Sequence, residues 1–490
     1  MPALLAAALV FICAACVLVL EILAGRLLAP YVGISLETYT AIIGVVLAGI
    51  AAGSWLGGKL ADRVNPRRII GPTVALGGLL ALFTVPIVRA LGDSTSSDGA
   101  GRILTVWLTV AGFFLPALVL SAVHPMVVKL QLRDLDRTGG TVGRLSGIAT
   151  FGAIVGTFVT GYLLVATIPT RTIVYAVGFF LIAVGIALTL WLSRKETVVV
   201  LVIAVLGIAG ASVAAKQVSP CDVESAYFCI HVEQDPANAN GRTLWLDDLR
   251  HSYVDLEDPT SLQFGYIRSF ADVLDVAFPD HRAIDALHIG GGGFTMPRYL
   301  RAEYPGSKST VLEIDQAVLD INRDELGLHT GSDIKVDIGD ARIGIRDRPD
   351  HSADLVISDA FGSLSVPWHL TTTEFIHEVQ RVMRDDGVYV LNIIDYPPLR
   401  FVRAELRTLQ QHFKHVGAIA PSGMFDGSYG GNVVLFASHR EFDDAQLREL
   451  STANGNVVVI GDALDRLIGN APVITDDDAP IDQWLSEDRS

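Results

Sequence analysis

Charged side chains are scarce in the first 216 residues of this 490-residue chain, which hold 15 Lys and Arg and 8 Asp and Glu. Half of the whole chain is hydrophobic, and its mean hydropathy of +0.43 is too apolar for a soluble enzyme of this length. Residues 217–490 lack basic side chains instead, with 22 Lys and Arg against 45 Asp and Glu. That balance argues against a nucleic-acid partner, because neutralising phosphates needs clustered Lys and Arg. It suits a cationic substrate, or serves solubility alone. Cysteine is rare, four in all, without the spacing of a zinc site, and no metal is expected. Cys13 and Cys16 fall in an apolar run and are expected to be small apolar side chains. Cys221 and Cys229 pair as a disulfide if their segment lies outside the cytoplasm, and stay free thiols otherwise. The first apolar run has no basic residues ahead of it and is too long for a signal-peptide core, so it reads as a span rather than a cleaved leader.

What the first 216 residues do contain is apolar runs of spanning length. A hydrocarbon core needs about 20 apolar residues per helix. Spans are expected near 3–22, 39–58, 69–90, 104–123, 145–167, 173–192 and 198–215. Gly49, Gly53 and Gly57, and Gly152, Gly156 and Gly161, recur where helix backbones would approach closely. Basic residues cluster in alternate loops: Lys59, Arg63, Arg67 and Arg68; Lys129, Arg133, Arg137 and Arg144; Arg194 and Lys195. The positive-inside rule puts these loops and the N-terminus in the cytoplasm, and seven spans then leave the C-terminal domain outside. Glu21, Arg26, Glu37 and His124 lie in or beside spans. An interfacial role is expected for them, with a transport path as the alternative. Gly57-Gly58-Lys59-Leu60-Ala61-Asp62-Arg63 with Arg67 and Arg68 resembles the cytoplasmic loop motif of major-facilitator transporters, a family that usually has twelve spans.

From residue 222 the apolar runs become short and alternate with polar turns. The chain divides into a transmembrane domain at 1–216, a small β-hairpin region with a connecting helix at 217–280, a nucleotide-binding domain at 281–440, and a C-terminal extension with an acidic loop at 441–490. The hairpin region is expected to place strands at 226–232, 242–246 and 252–256, followed by a helix over 261–277. Strands near 286–290, 309–313, 333–336, 354–358 and 387–392 alternate with helices, which predicts an open parallel sheet. Strands near 415–420 and 431–437 would add an antiparallel pair at one edge.

Ligands of such sheets sit beyond the carboxyl ends of the strands. Gly290, Gly291, Gly292 and Gly293 follow the first strand, where glycines allow close backbone approach. The third glycine of a dinucleotide fingerprint is missing, its place taken by Thr295, which disfavours a nicotinamide cofactor. Glu313 ends the second strand, about 20 residues on, where an acid accepts hydrogen bonds from ribose hydroxyls. Asp340, followed by Ala341, stands after the third strand, and Asp359 ends the fourth. Four such features at four successive strand ends point to one ligand site.

Residues 222–440 resemble the polyamine aminopropyltransferases, the spermidine synthase family. The resemblance rests on Ala286 to Arg298, Val311 to Asp315, Gly339 to Arg342 and Asp354 to Thr373. The join to a membrane half resembles the bacterial branch that fuses a transporter-like region to such a domain. Asp359-Ala360-Phe361, Pro367 to Thr371 and Thr475 to Pro480 are similar to that branch. The fold implied is a multi-pass α-helical membrane bundle plus an α/β Rossmann-like S-adenosylmethionine-dependent transferase domain. By this resemblance Gly290, Gly291, Gly292, Glu313, Asp340 and Ala341 contact a donor, decarboxylated S-adenosylmethionine or S-adenosylmethionine itself. Asp359 orients or deprotonates an amine acceptor, and His251, Tyr266 and His369 stand on the substrate side.

The acceptor half departs from the family. An acid of the glycine loop is replaced by Gly293, a second acid of the catalytic loop by Gly362, and a glutamine by His251. A Tyr-His-Glu triplet reads Tyr266-Ile267-Arg268. A diamine needs carboxylates at both ends, and Arg268 would oppose it. The Asp476–Asp478 run would supply replacements if it folded over the site. The leading reading is a membrane-bound aminopropyltransferase with an atypical amine acceptor. The second is a methyltransferase acting on a lipid-like acceptor, and the third a transporter or sensor with a ligand-binding domain. Membrane lipid is an expected partner, and a homo-oligomer stays open. The charge pattern puts the domain outside, whereas the donor nucleotide is expected in the cytosol.

Overall fold

The computed structural model describes residues 1–94, 101–132, 138–214, 219–362 and 366–487. The chain divides into two units, Met1–Cys229 and Ile230–Ser490. Among the described residues, the first contains seven helices long and apolar enough to cross a membrane: Ala3–Val32, Leu36–Arg63, Pro66–Gly92, Ile103–Gln131, Thr138–Thr167, Thr170–Leu192 and Arg194–Ser212. Arg133 and Arg137 lie outside the described residues. Small residues set the helix contacts. A Cβ on Gly53 would come within 2.1 Å of the Leu118 carbonyl oxygen, and one on Gly156 within 2.5 Å of the Ala15 carbonyl oxygen. Gly161 differs, facing open space and carrying no such contact. The fourth helix is broken by a π-helical turn at Val110–Phe114 and by a turn at Ala122.

The ionisable residues beside the spans have different fates. Arg26 pairs with Glu224 at 3.2 Å and donates to Thr170 Oγ1 at 3.1 Å and to the Ala226 carbonyl at 2.8 Å. His124 is not at a span end. It lines a cavity of about 240 Å³ with Cys13, Ser54 and Ser121, and its Nε2 is buried without a partner. Cys13 and Cys16 are buried free thiols. Cys221 and Cys229, on either side of the short strand β1 (Val223–Glu224), are joined as a disulfide.

In the second unit, β2 (Cys229–Gln234), β3 (Gly241–Leu246) and β4 (Leu249–Asp255) pair antiparallel in sequence order. A helix at Gly265–Ala277 leads to the main sheet. That sheet contains β5 (Asp285–Ile289), β6 (Lys308–Glu313), β7 (Ile334–Ile338), β8 (Ala353–Ser358) and β9 (Met383–Asp395). It continues with β10 (His415–Ala420), β11 (Gly431–Ser438) and β12 (Val457–Ile460). The order is β12-β10-β11-β9-β8-β5-β6-β7. The five strands β9-β8-β5-β6-β7 are parallel, and β11, β10 and β12 add antiparallel pairings at the β9 side. The antiparallel part thus has three strands rather than the expected two. β11, not β10, bonds to β9, and β12 is an addition.

The apolar runs of the parallel strands follow from burial on both faces. Ala286, Leu355, Ile357, Val388 and Val390 face a cluster with Phe270 and Leu274 of the helix Gly265–Ala277, while Leu287, Val356 and Tyr389 face Phe375 and Phe401 on the other side. The chain runs outward from β5 through β6 to β7, then returns to lay β8 on the other side of β5. The carboxyl ends of β5 and β8 therefore flank the point where strand order reverses, the usual crevice of an open α/β sheet.

Candidate active site

Backbone hydrogen bonds tie the strand tips together. Gly290 N–H donates to the Leu312 carbonyl at 2.9 Å, Asp359 N–H to Ile289 at 2.9 Å, and Gly339 N–H to Glu313 at 2.8 Å. Glycine is demanded here by the chain's own packing. Gly290 has φ +92°, and a Cβ there would meet the Asp359 carbonyl oxygen at 2.6 Å. Gly292 has φ +50°, and its Cβ would press on the His251 ring at 2.9 Å. Ser252 Oγ accepts from the Gly293 amide at 2.9 Å, and Asn322 Nδ2 donates to the Gly292 carbonyl at 2.7 Å, fixing the loop from both sides.

Glu313 is buried at the tip of β6, one oxygen accepting from the Gly291 amide at 2.8 Å and the other from the Asp315 amide at 2.9 Å. Burial raises its carboxyl above the ordinary range, against the pull of these amides. Asp340 caps the short helix Ala341–Gly344 by accepting from the Arg342 amide at 2.7 Å. Its other oxygen lies 3.5 Å from His369 Nε2. Ala341 is buried beside it, while Ile314 and Ile343 next to these two acids are exposed, at 39% and 64%.

Asp359 follows β8, where the pairing Ser358↔Leu391 places it beside Asn392 of β9. Asn392 Nδ2 donates to one carboxylate oxygen at 3.0 Å, and the Tyr266 hydroxyl to the other at 3.1 Å. Burial pushes the Asp359 carboxyl up to about 6, opposed by the hydrogen bonds from Asn392 and Tyr266. Asp359, Tyr266, Asn392 and His251 line one cavity of about 360 Å³, together with Arg250, Gln263, Phe264, Phe361, Ile394 and Asn432. Burial pushes the His251 imidazole down to about 4, so it is neutral at pH 7.

The expected site residues therefore fall into two groups along one sheet edge. Asp359, Tyr266 and His251 share the cavity. The glycine loop joins this group through Gly290 and Gly292 and reaches Glu313 through Gly291. Asp340 and His369 face each other further along and do not line that cavity. Arg268 does not line it either, its guanidinium donating to the Leu262 and Gln263 carbonyls. Asp476 supplies no carboxylate to the cavity. It pairs with Arg342 at 2.6 Å and accepts from Thr372 at 2.7 Å. Arg250 and Asn392 were missed by sequence reasoning. Both sit on strands, where polar residues read as alternation, and only the β8–β9 register could have flagged Asn392.

Residues 267–441 match the spermine/spermidine synthase domain. Over 143 residues the chain is 32% identical to a polyamine aminopropyltransferase of Vibrio vulnificus, covering 29% of this chain and 46% of that protein. Over 111 residues it is 31% identical to a protein of Bifidobacterium longum described as a probable polyamine aminopropyl transferase, covering 23% and 24%. The chain thus spans half or less of the length of these curated relatives. A crystal structure of a probable spermidine synthase from Corynebacterium glutamicum superposes with a TM-score of 0.48 at 28% identity, over 51% of this chain and 94% of that one. The C-terminal region of this chain, beyond its seven apolar helices, carries a spermine/spermidine synthase domain.

Proposed function

We propose that residues 230–490 form a membrane-attached transferase domain that takes an aminopropyl group from decarboxylated S-adenosylmethionine and passes it to an amine held at Asp359. The observation that carries this reading is the Asp359 carboxylate, fixed between Tyr266 and Asn392 in a cavity beyond the carboxyl end of β8. At pH 7 a carboxyl near 6 is mostly ionised and can accept a proton. The amine nitrogen forms a bond to the aminopropyl carbon as the carbon–sulfur bond breaks. The bonding pair returns to sulfur, leaving the neutral thioether methylthioadenosine, and the amine's proton passes to Asp359. Holding the amine in line at that carboxylate is the domain's main contribution.

The tips of β5, β6 and β7 fit the donor. Glu313 and Asp340 are acceptors suited to ribose hydroxyls and an adenine amino group, and exposed Ile314 and Ile343 suit the faces of a base. The membrane reading is supported by exposed Phe151, Phe158 and Leu163 on the fifth helix and Val198, Val205 and Ile208 on the seventh, an arrangement suited to lipid. An extracytoplasmic domain is supported by the basic loops and by the Cys221–Cys229 bridge. A reporter fused after Ser490 tests that side.

The test of activity uses the full chain in detergent with decarboxylated S-adenosylmethionine and a broad amine panel. Methylthioadenosine release that Asp359→Asn abolishes is expected, and no release with any amine refutes the reading. A second reading, methyl transfer from S-adenosylmethionine, is favoured by Gly293, since an acid there would repel the donor's carboxylate. Tighter calorimetric binding of the decarboxylated donor would exclude it.

A further inference from the structure

The cavity at Asp359 has two charged side chains, Asp359 and Arg250, and no second carboxylate. At its acidic end, Asn392 turns its Nδ2 to Asp359, which leaves Asn392 Oδ1 buried with no hydrogen-bond partner. Asn392 lines the cavity and is only 3% exposed, so this acceptor in the cavity wall is buried without a partner. An amine offers N–H groups for both the carboxylate and this oxygen. The other charge has the opposite sign. Arg250, on β4, lies with its guanidinium over the Phe264 ring at 5.6 Å, and that guanidinium hydrogen-bonds to none of the described residues. Asp235, whose charge it feels, already accepts from the Tyr253 hydroxyl and the Ala237 amide. The remaining polar lining, Gln263, Asn432 and neutral His251, carries no charge to offset a second ammonium.

We infer that the acceptor is an acidic amine, a primary amine that also bears a carboxylate or phosphate, with Arg250 binding the anion while Asp359 and Asn392 Oδ1 hold the nitrogen. This rests on the transferase reading above and names its substrate class. A diamine would bring its second ammonium into a cavity with no carboxylate left for it and an unpaired guanidinium in the wall, a like-charge encounter. An amine with an anionic tail finds a partner at each end, and a guanidinium suits carboxylate and phosphate alike.

The experiment compares acceptors of equal chain length on the full-length protein in detergent, with decarboxylated S-adenosylmethionine as donor: putrescine, 4-aminobutanoate and 4-aminobutyl phosphate. Methylthioadenosine release should favour an acidic amine over putrescine by about tenfold or more in kcat/KM, as expected when a charge keeps rather than loses its partner. Arg250→Glu should reverse that order, and Arg250→Lys should preserve it with a raised KM. Arg250 is exposed, so these variants should fold, and unchanged donor binding by calorimetry checks that they do. A preference for putrescine or a neutral amine, with a ratio that Arg250→Glu does not move, overturns the inference and leaves the transferase reading standing. No release with any acceptor, donor binding intact, removes the transferase reading and this inference with it.

Discussion

Replacing Tyr266 by Phe removes one of the two hydrogen bonds that hold the Asp359 carboxylate and leaves the aromatic packing in place. The Tyr266 hydroxyl lies 3.1 Å from Asp359 and its ring packs edge-on against Phe270. Burial pushes Asp359 up to about 6, while Asn392 and Tyr266 pull it down. A hydrogen bond to a charged group is worth about 1.5–3 kcal/mol, and about 1.4 kcal/mol corresponds to one pKa unit. Without Tyr266 the carboxyl should therefore rise by roughly 1–2 units. The sign is fixed, because the lost donor stabilised only the ionised form. The acid limb of kcat/KM, near pH 6 in the wild-type protein, should move to about pH 7–8 in Tyr266→Phe. At pH 6 the variant should then run at about a tenth or less of its own alkaline plateau, against about half for wild type. The assay is methylthioadenosine release from pH 5 to 9. Asp359→Asn is the reference, expected to lose about 10²–10⁴-fold at every pH and to show no such limb. An unmoved limb in Tyr266→Phe, with activity lowered equally at all pH values, would refute the assignment of Asp359 as the titrating base.

Three further outcomes are expected. Asp354 is buried, pairs with Arg282 at 3.1 Å, and accepts from Arg384 and from the Asp285 amide. Burial alone would raise its carboxyl, yet these partners hold it below the ordinary range. Its contribution is present above the unfolded-state pKa and lost as pH falls through the folded one. Asp354→Asn should cost about 3 kcal/mol at neutral pH in denaturant melts and make the acid limb shallower. Glu405 is fully buried with both oxygens unpartnered, and burial raises its carboxyl well above the ordinary range. The folded state keeps a proton that the unfolded chain releases, so stability falls as pH rises past the ordinary Glu range. Glu405→Met should be more stable at pH 8 by about 1–3 kcal/mol and lack that fall. In the helical unit, Gly53→Val should lower thermal stability in detergent, because its Cβ has no room beside Leu118, while Gly161→Ala should melt like wild type.

Several elements are legible in the order of residues itself. The apolar runs of the first 216 residues identify seven long helices, since spanning length is a local property. Strands β5 to β9 are marked by short apolar runs between polar turns, and the observed β5, β6 and β8 start within one residue of the expected positions. Glu313, Asp340 and Asp359 stand out because a parallel sheet puts its functional residues at strand ends. β12 does not. Val457–Ile460 is four residues long and acquires meaning only through its pairing with β10. Arg268 shows the opposite failure, since it is expected near the acceptor yet caps local carbonyls. Asp476, expected there only if its loop folded over the site, pairs instead with Arg342 across more than a hundred residues.

The amino-acid order alone marked the long apolar helices, strands β5 to β9, the glycine turn after β5 and the acids at the strand ends, because these follow from short-range periodicity and backbone sterics. Only the tertiary structure decided what each acid faces. The β8–β9 register brings Asn392 to Asp359, the return of the chain from β7 to β8 opens the crevice beside β5, and β4 carries Arg250 into its wall. Charge complementarity depends on distances between residues far apart in the chain, and those distances exist only once the sheets have packed.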